Sequence, residues 1–301
     1  VGDHPWLGAP SVKVGADFGG LQIGLDDPAT DPEVTGMLTD PLQGCLDPDA
    51  GHGTFIAGLI RQVSPDSNVL AIRVMSSDGT VAEGDLLAAL NLLLLRHVHA
   101  QQTNTPDGIV DVVSMSMGYY HERPEDVDFD PLLLEPLREF AQRGVGVVAA
   151  AGNDSTTRPL YPAAFAPYAG GLAPAADQVP LVSVGALNPD SSVALFSNAG
   201  DWVSCYRPGA ALVSTVPKTI NAGQQPSVRV TSNGQVRQTI DPDGFESGFA
   251  TWSGTSFAGP VLAGQLAQAL LETAELDNLG SGPAVERAWS AITSLVGWNR
   301  P

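Results

Sequence analysis

Four short apolar runs most restrict what this chain can fold into: "VLAIRVM" (69–75), "VDVVSMSMG" (110–118), "GVGVVAAAG" (144–152) and "VPLVSVGAL" (179–187). Such runs, apolar at nearly every position, mark strands covered on both faces, as in a parallel sheet. Helical stretches separate them. "EGDLLAALNLLLLRHVHA" (83–100) has helical length and spacing, and "DPLLLEPLREFAQRG" (130–144) ends on Gly144, a glycine placed to cap it. Strand, helix and strand in alternation predict an α/β fold of three layers, α/β/α, around a central, mostly parallel sheet.

After residue 190 the texture changes. Two alternating runs in "PSVRVTSNGQVRQTIDPDG" flank Asn233-Gly234, a strong hairpin signal, and predict a surface β-hairpin insertion over 217–246. "SFAGPVLAGQLAQALLETAEL" then returns to a helix apolar almost all round, as in a helix buried in a core. With 301 residues and no internal repeat or low-complexity linker, the expectation is one domain over 1–301.

Composition excludes some partners. The chain has 33 acidic against 14 basic residues, a formal charge of -19, and no Lys/Arg cluster to reverse that sign locally, which argues against nucleic acid and anionic membrane surfaces. The longest apolar run, "LLAALNLLLL" (86–95), is too short to span a bilayer. Cys45 and Cys205 are the two cysteines, so there is neither a disulfide framework nor a metal-binding cysteine pattern; one bridge or two free thiols both stay open.

Nucleophilic acyl transfer needs a hydroxyl, an imidazole to take its proton, a group to orient that imidazole, and donors for the oxyanion. Candidates for three of these parts are present. His52 lies between glycines in "GHGTFIAG", ahead of a helix-like run. Asn153 ends the strand "VVAAAGN", at the edge of the sheet where ligands of open α/β folds bind. Ser256, in "SGTSFAGP", opens a buried helix whose N-terminal end favours negative charge. Taken singly, a serine there is usually a cap, a glycine-flanked histidine a loop residue and "GN" a turn. Three such residues in one order, each at an element boundary, point instead to chemistry. His97 and His99, two apart on a helix, face different sides and read as structural.

In this order the three motifs resemble those of the subtilisin-like serine proteases. The resemblance extends to "VVSMSMG", like the family's substrate-lining strand, to the core strand "VSVGAL" and to "RPGAALVSTVP" ahead of the serine. It implies a subtilisin-like fold with His52 as general base, Ser256 as nucleophile and Asn153 as oxyanion donor. Other serine-hydrolase layouts fit less well. An α/β-hydrolase needs G-x-S-x-G and a histidine after the serine, whereas the last histidine here is His121. A chymotrypsin-like fold needs two antiparallel barrels.

One departure stands out. The family orients its histidine with an aspartate in D-[ST]-G, and neither D-S-G nor D-T-G precedes His52. Asp17, in "SVKVGADFGG", ends an extended run and is a tempting substitute, but Lys13 interrupts that run where a central strand would be apolar throughout. "HPWL" (4–7) resembles the H-P-x-L that follows the family's aspartate. The expectation is therefore that the aspartate and its strand lie upstream of Val1. Without that strand, its neighbours keep unpaired backbone groups, which destabilises the isolated chain or makes it bind a complementing strand.

The resemblance also implies a peptide or protein substrate lying as an added strand between Ser116, Met117 and Gly118 and the region 78–84. Ala150, Ala151 and Gly152 would wall a first pocket roomy enough for a large apolar or aromatic side chain. No cofactor is required by such chemistry; structural calcium is a family trait for which the acidic "LDDPATDPEV" (25–34) could supply oxygen ligands, but that spacing fits no EF-hand loop, the stretch reads as a Pro-interrupted solvated loop, and metal ligands stay unassigned. Extracellular localisation and the help of a propeptide or upstream segment follow from resemblance alone. A second reading is a protease-like binding or scaffold protein, inactive for want of the aspartate.

Overall fold

The apolar runs become the middle layer. In the computed structural model, which describes residues 4–301 except 26, 28, 30, 36–38, 41, 170 and 274–277, the chain begins with β1 (Val12–Val14), β2 (Ala16–Phe18), β3 (Leu21–Ile23) and a single turn, α1 (Pro32–Thr35). Then come α2 (His52–Val63), β4 (Val69–Ala71), α3 (Glu83–Thr103), β5 (Val112–Met115), α4 (Asp130–Gln142), β6 (Gly146–Ala150) and β7 (Val182–Leu187). The last elements are β8 (Cys205–Pro208), β9 (Leu212–Thr215), β10 (Arg229–Ser232), β11 (Gln235–Gln238), β12 (Phe249–Trp252), α5 (Thr255–Glu272) and α6 (Ser281–Val296).

Strands β5-β6-β7-β8 form a parallel sheet in that order, and β1 pairs in parallel with β4 as a separate piece. Helices cover both faces. Successive residues of β6 point to opposite sides: Val148 packs with Leu262 and Leu266 of α5 and Trp289 of α6, while Val147 packs with Leu93 of α3 and Phe140 of α4. Every residue of β6 is buried, which is why its sequence is apolar without alternation. Gly144 stops α4 with φ near +87°, the left-handed cap its position predicts, and Val145 N–H donates to Phe140 O at 3.0 Å. His97 is buried on α3, where Nδ1 accepts the Val110 N–H at 3.0 Å; His99, on another side of the helix, packs against Phe18.

The remaining pairs are antiparallel: β2 with β3, β9 with β12, and β10 with β11. The last is a ribbon closed by Asn233 and Gly234, both at positive φ, and all its strand residues are exposed. Cys45 and Cys205 are not joined.

One glycine lets α2 and α5 approach closely, and a second seats α2 on β9. A Cβ on Gly264 of α5 would stand 2.8 Å from Val63 Cβ of α2, closer than packed carbons tolerate. Gly58 of α2 lies against the Ser214 and Thr215 hydroxyls of β9, and these donate to Phe55 O and Thr54 O at 2.8 Å each. We predict that Gly264→Val wedges the helices apart and costs about 1–3 kcal/mol of stability in urea unfolding, the usual price of overpacking. Gly282→Ala, with open space around the added carbon, is the control and changes stability by no more than about 1 kcal/mol.

Candidate active site

Ser256 occupies the first turn of α5, where amide groups lack partners within the helix. Its neighbour Thr255 is tied to Asn153: the Thr255 N–H and hydroxyl donate to Asn153 Oδ1 at 2.8 and 2.9 Å, and the Gly152 N–H donates to Thr255 Oγ1 at 2.9 Å. With its carbonyl oxygen taken by two donors, the Asn153 amide has one orientation that satisfies the site, Nδ2 turned away from Thr255. Gly254 lies beside it: a Cβ there would stand 3.6 Å from that Nδ2, an ordinary packing distance. Neither the Ser256 N–H nor Asn153 Nδ2 has an acceptor among the described residues.

From the other side, Ser116 Oγ donates to Ser256 O at 2.7 Å and ties the end of β5 to the same helical turn. His52 opens α2 after Gly51, whose φ of +80° and close contacts with Pro217 and Ile220 require glycine. The His52 ring packs 5.3 Å from Phe257, the residue after Ser256, and 5.8 Å from Trp252. The structure therefore brings His52, Asn153 and Ser256 to one end of the sheet. No hydrogen bond joins the His52 ring to the Ser256 hydroxyl, and such bonds are often long without substrate.

Residues 40–281 match the model of the subtilase family. The chain belongs to the subtilase family. This subtilase is 28% identical over 279 residues to an "Intracellular serine protease" of Paenibacillus polymyxa, a match covering 88% of this chain and 62% of the relative. It is 28% identical over 177 residues to the "Minor extracellular protease Epr" of Bacillus subtilis (strain 168), covering 56% of this chain and 22% of the relative. The crystal structure of a cold adapted subtilisin-like serine proteinase superposes with a TM-score of 0.57 at 20% identity, covering 99% of this chain and 79% of that one. The fold expected from the sequence, a subtilisin-like α/β architecture around a parallel sheet, is the fold found. The chain spans less than two thirds of either relative, and their names divide between intracellular and extracellular.

Asp17 is not brought to His52. It sits exposed on β2, opposite Gln22 of β3, and lines a shallow hollow with Arg96 and His99 near the end of α3. The reason is that β1 and the β2–β3 hairpin lie on the outer side of β4: Lys13 is exposed, as suits an edge strand. The carboxylate whose charge reaches His52 is Asp49, three residues earlier, which accepts the His52 N–H through its backbone oxygen at 3.0 Å. Gly79, in the loop ahead of α3, packs directly on the Asp49 carboxylate. Sequence reasoning passed over Asp49, Thr255 and the ring pair Trp252 and Phe257; only their nearness to His52 and Ser256 in the chain could have flagged them.

Ala150 and Ala151 are buried, and the space between Gly118 and Gly152 is filled by Leu160, whose Cγ and Cδ2 would stand 2.7 and 2.8 Å from carbons added to those glycines. Leu160 is fixed there by the exchange of hydrogen bonds between Tyr119 and Tyr161 at 2.8 and 2.9 Å. In the acidic stretch 25–34, residues 26, 28 and 30 lie outside the described residues. Asp27 and Asp31 accept from the Ala29 and Glu33 amides, and no group of three or more acidic, His or Cys residues that could hold a metal occurs among the described residues.

Burial pushes the His52 imidazole below its ordinary value of 6.5, and the Asp49 charge works the other way. The ring is thus a neutral base at pH values where a free imidazole is already charged. We predict that proton NMR of the His52 ring gives a midpoint below 6.5, and that Asp49→Asn moves it lower still by removing the opposing charge. A midpoint that rises in Asp49→Asn contradicts this balance.

Proposed function

We propose that this chain is the catalytic unit of a serine endopeptidase. Ser256 Oγ attacks the carbonyl carbon of a peptide bond while His52 takes its proton. The oxyanion accepts hydrogen bonds from Asn153 Nδ2 and the Ser256 N–H; His52 then gives the proton to the departing amine. Water, activated by the same imidazole, releases the acyl group from Ser256. No cofactor enters these steps. The observation that carries this reading is the Asn153–Thr255 clamp: it spends the amide's oxygen inside the protein and leaves its nitrogen, beside the unpaired Ser256 N–H, as a preorganised donor. An inactive binding protein has no need of that arrangement.

The orienting carboxylate we assign to polypeptide outside residues 1–301, since Asp17 lies elsewhere. Substrate runs as an extended strand along Ser116, Met117 and Gly118, with the region 78–84 on its other side. With Leu160 between Gly118 and Gly152, the first pocket takes small side chains rather than the large ones the Ala-Ala-Gly wall implied. A propeptide and an extracellular site of action remain part of this proposal. No described helix is long and apolar enough to cross a membrane.

Fluorophosphonate labelling followed by mass spectrometry tests the nucleophile. The adduct is expected on Ser256, absent in Ser256→Ala and formed at least about tenfold more slowly in His52→Ala. A folded chain that reacts elsewhere, or not at all, overturns the reading. Asn153→Ala should lower kcat by about 10²–10³-fold, the cost established for the equivalent donor in subtilisin itself. On peptide anilides, alanine at the attacked residue should give a higher kcat/KM than phenylalanine, and Leu160→Gly should reverse the order.

A further inference from the structure

Two segments meet beside the space that Leu160 fills. Residues 118–121 continue from the end of β5, and residues 158–161 carry the buried Leu160. Tyr119 and Tyr161 join them as an isolated antiparallel bridge, each amide donating to the other's carbonyl at 2.8 and 2.9 Å. Further along, the His121 ring lies flat on the Tyr161 ring, with 4.2 Å between centroids and 14° between planes. The Arg158 guanidinium donates to His121 O and sits 4.8 Å from the centre of the Tyr120 ring. The segment that carries Leu160 is therefore held through its neighbours on both sides.

The outer end of this pairing is fastened to α4. Asp130, buried at the first position of that helix, accepts on Oδ1 from His121 Nε2 at 2.8 Å and from the Tyr119 hydroxyl at 3.1 Å. A carboxylate only accepts, so the His121 nitrogen that faces it carries the hydrogen. Burial, with the Asp130 charge, pushes the Tyr119 hydroxyl well above its ordinary value and keeps it a donor. The positive end of α4 favours the carboxylate in turn. One imidazole thus bridges α4 and the Tyr161 ring, and Tyr161 follows Leu160 in the chain. None of these groups bonds to His52, Asn153 or Ser256.

We propose that His121 is a positioning residue for substrate choice: clamped between Asp130 and Tyr161, it holds Leu160 in the first pocket and so sets the largest side chain the pocket admits. The proposal rests on the protease reading for the meaning of that pocket, but the packing it describes does not. For Leu160 to leave the space between Gly118 and Gly152, residues 158–161 have to draw back from 118–121. That movement breaks the Tyr119–Tyr161 pair, the ring stack and the Arg158 bond together. Without the His121 ring, Tyr161 loses the surface on which it is stacked, and Asp130 holds only the Tyr119 side of the pair. A ring stack and a hydrogen bond to a carboxylate are each of a size that shifts an equilibrium by about tenfold.

Peptide anilides with alanine or phenylalanine at the attacked residue are compared on the unsubstituted chain, His121→Ala, Leu160→Gly and the double variant. His121→Ala is expected to raise the phenylalanine-to-alanine ratio of kcat/KM at least about tenfold. In the Leu160→Gly background the same substitution changes the ratio by less than about twofold, because no side chain is left to hold. A ratio that stays constant in His121→Ala, or that moves as far without Leu160, overturns the assignment. His121→Phe keeps a ring on Tyr161 without the bond to Asp130, and its ratio should fall between the two; a ratio equal to that of the unsubstituted chain overturns the part given to Asp130. The packing is read separately in Ser256→Ala by NMR, where adding His121→Ala should speed amide exchange at Tyr119 and Tyr161 at least about tenfold. If the unsubstituted chain hydrolyses neither anilide, the protease reading fails by itself. Exchange then still decides the latch: faster exchange at the two amides upholds the grip on Leu160, and unchanged exchange overturns it.

Discussion

Contact between α2 and α5 is the constraint from which the site follows. His52 and Ser256 are each in the first turn of one of these helices, more than two hundred residues apart in the chain, and their relative position is that of the helix axes. Glycine at 264 removes the side chain that would hold the axes apart, and β9, seated against Gly58, locks α2 from outside through two hydroxyl-to-carbonyl bonds. Local features then aim the groups. Gly51 turns the chain so that His52 enters its helix facing Phe257, and Thr255 fixes the Asn153 amide before any substrate arrives.

Electrostatics at this end of the sheet reflects the same packing. Burial of the His52 imidazole, which packs against Trp252 and Phe257, favours its neutral form, while the Asp49 charge works the other way. In the mechanism proposed above, donors fixed in advance beside a neutral base stabilise a developing oxyanion without rearrangement of the protein.

Much of this was legible in the sequence, for identifiable reasons. Strands buried on both faces need unbroken apolar runs, so β5, β6 and β7 could be placed, and Gly144 and Asn233-Gly234 marked a helix end and a turn because few other residues reach positive φ. His52, Asn153 and Ser256 could be singled out as candidates because each sits at an element boundary within a distinctive motif. What could not be read were contacts between segments far apart in the chain. Leu160 reads as an ordinary apolar residue, and nothing local says that it fills the space between Gly118 and Gly152. β4 was expected to be buried, yet its residues are only half-buried, in a strand that pairs with β1 alone among the described strands. Asp17 looked like the end of a strand and proved to belong to an outer hairpin, a difference of sheet order that Lys13 hinted at.

His97 gives the interior an acid limit. Its Nδ1 accepts the Val110 amide, a role open only to the neutral ring, and burial together with the nearby Arg143 and Arg96 charges holds its pKa at about 4. The unfolded chain takes up a proton near 6.5, so between that value and about 4 the unfolded state binds more protons than the folded one, and stability declines as pH falls. The difference amounts to about 3 kcal/mol once both values are passed, a large share of a typical domain's margin. The helix that carries the crossover from β4 to β5 is therefore fastened by a bond that mild acid works to release.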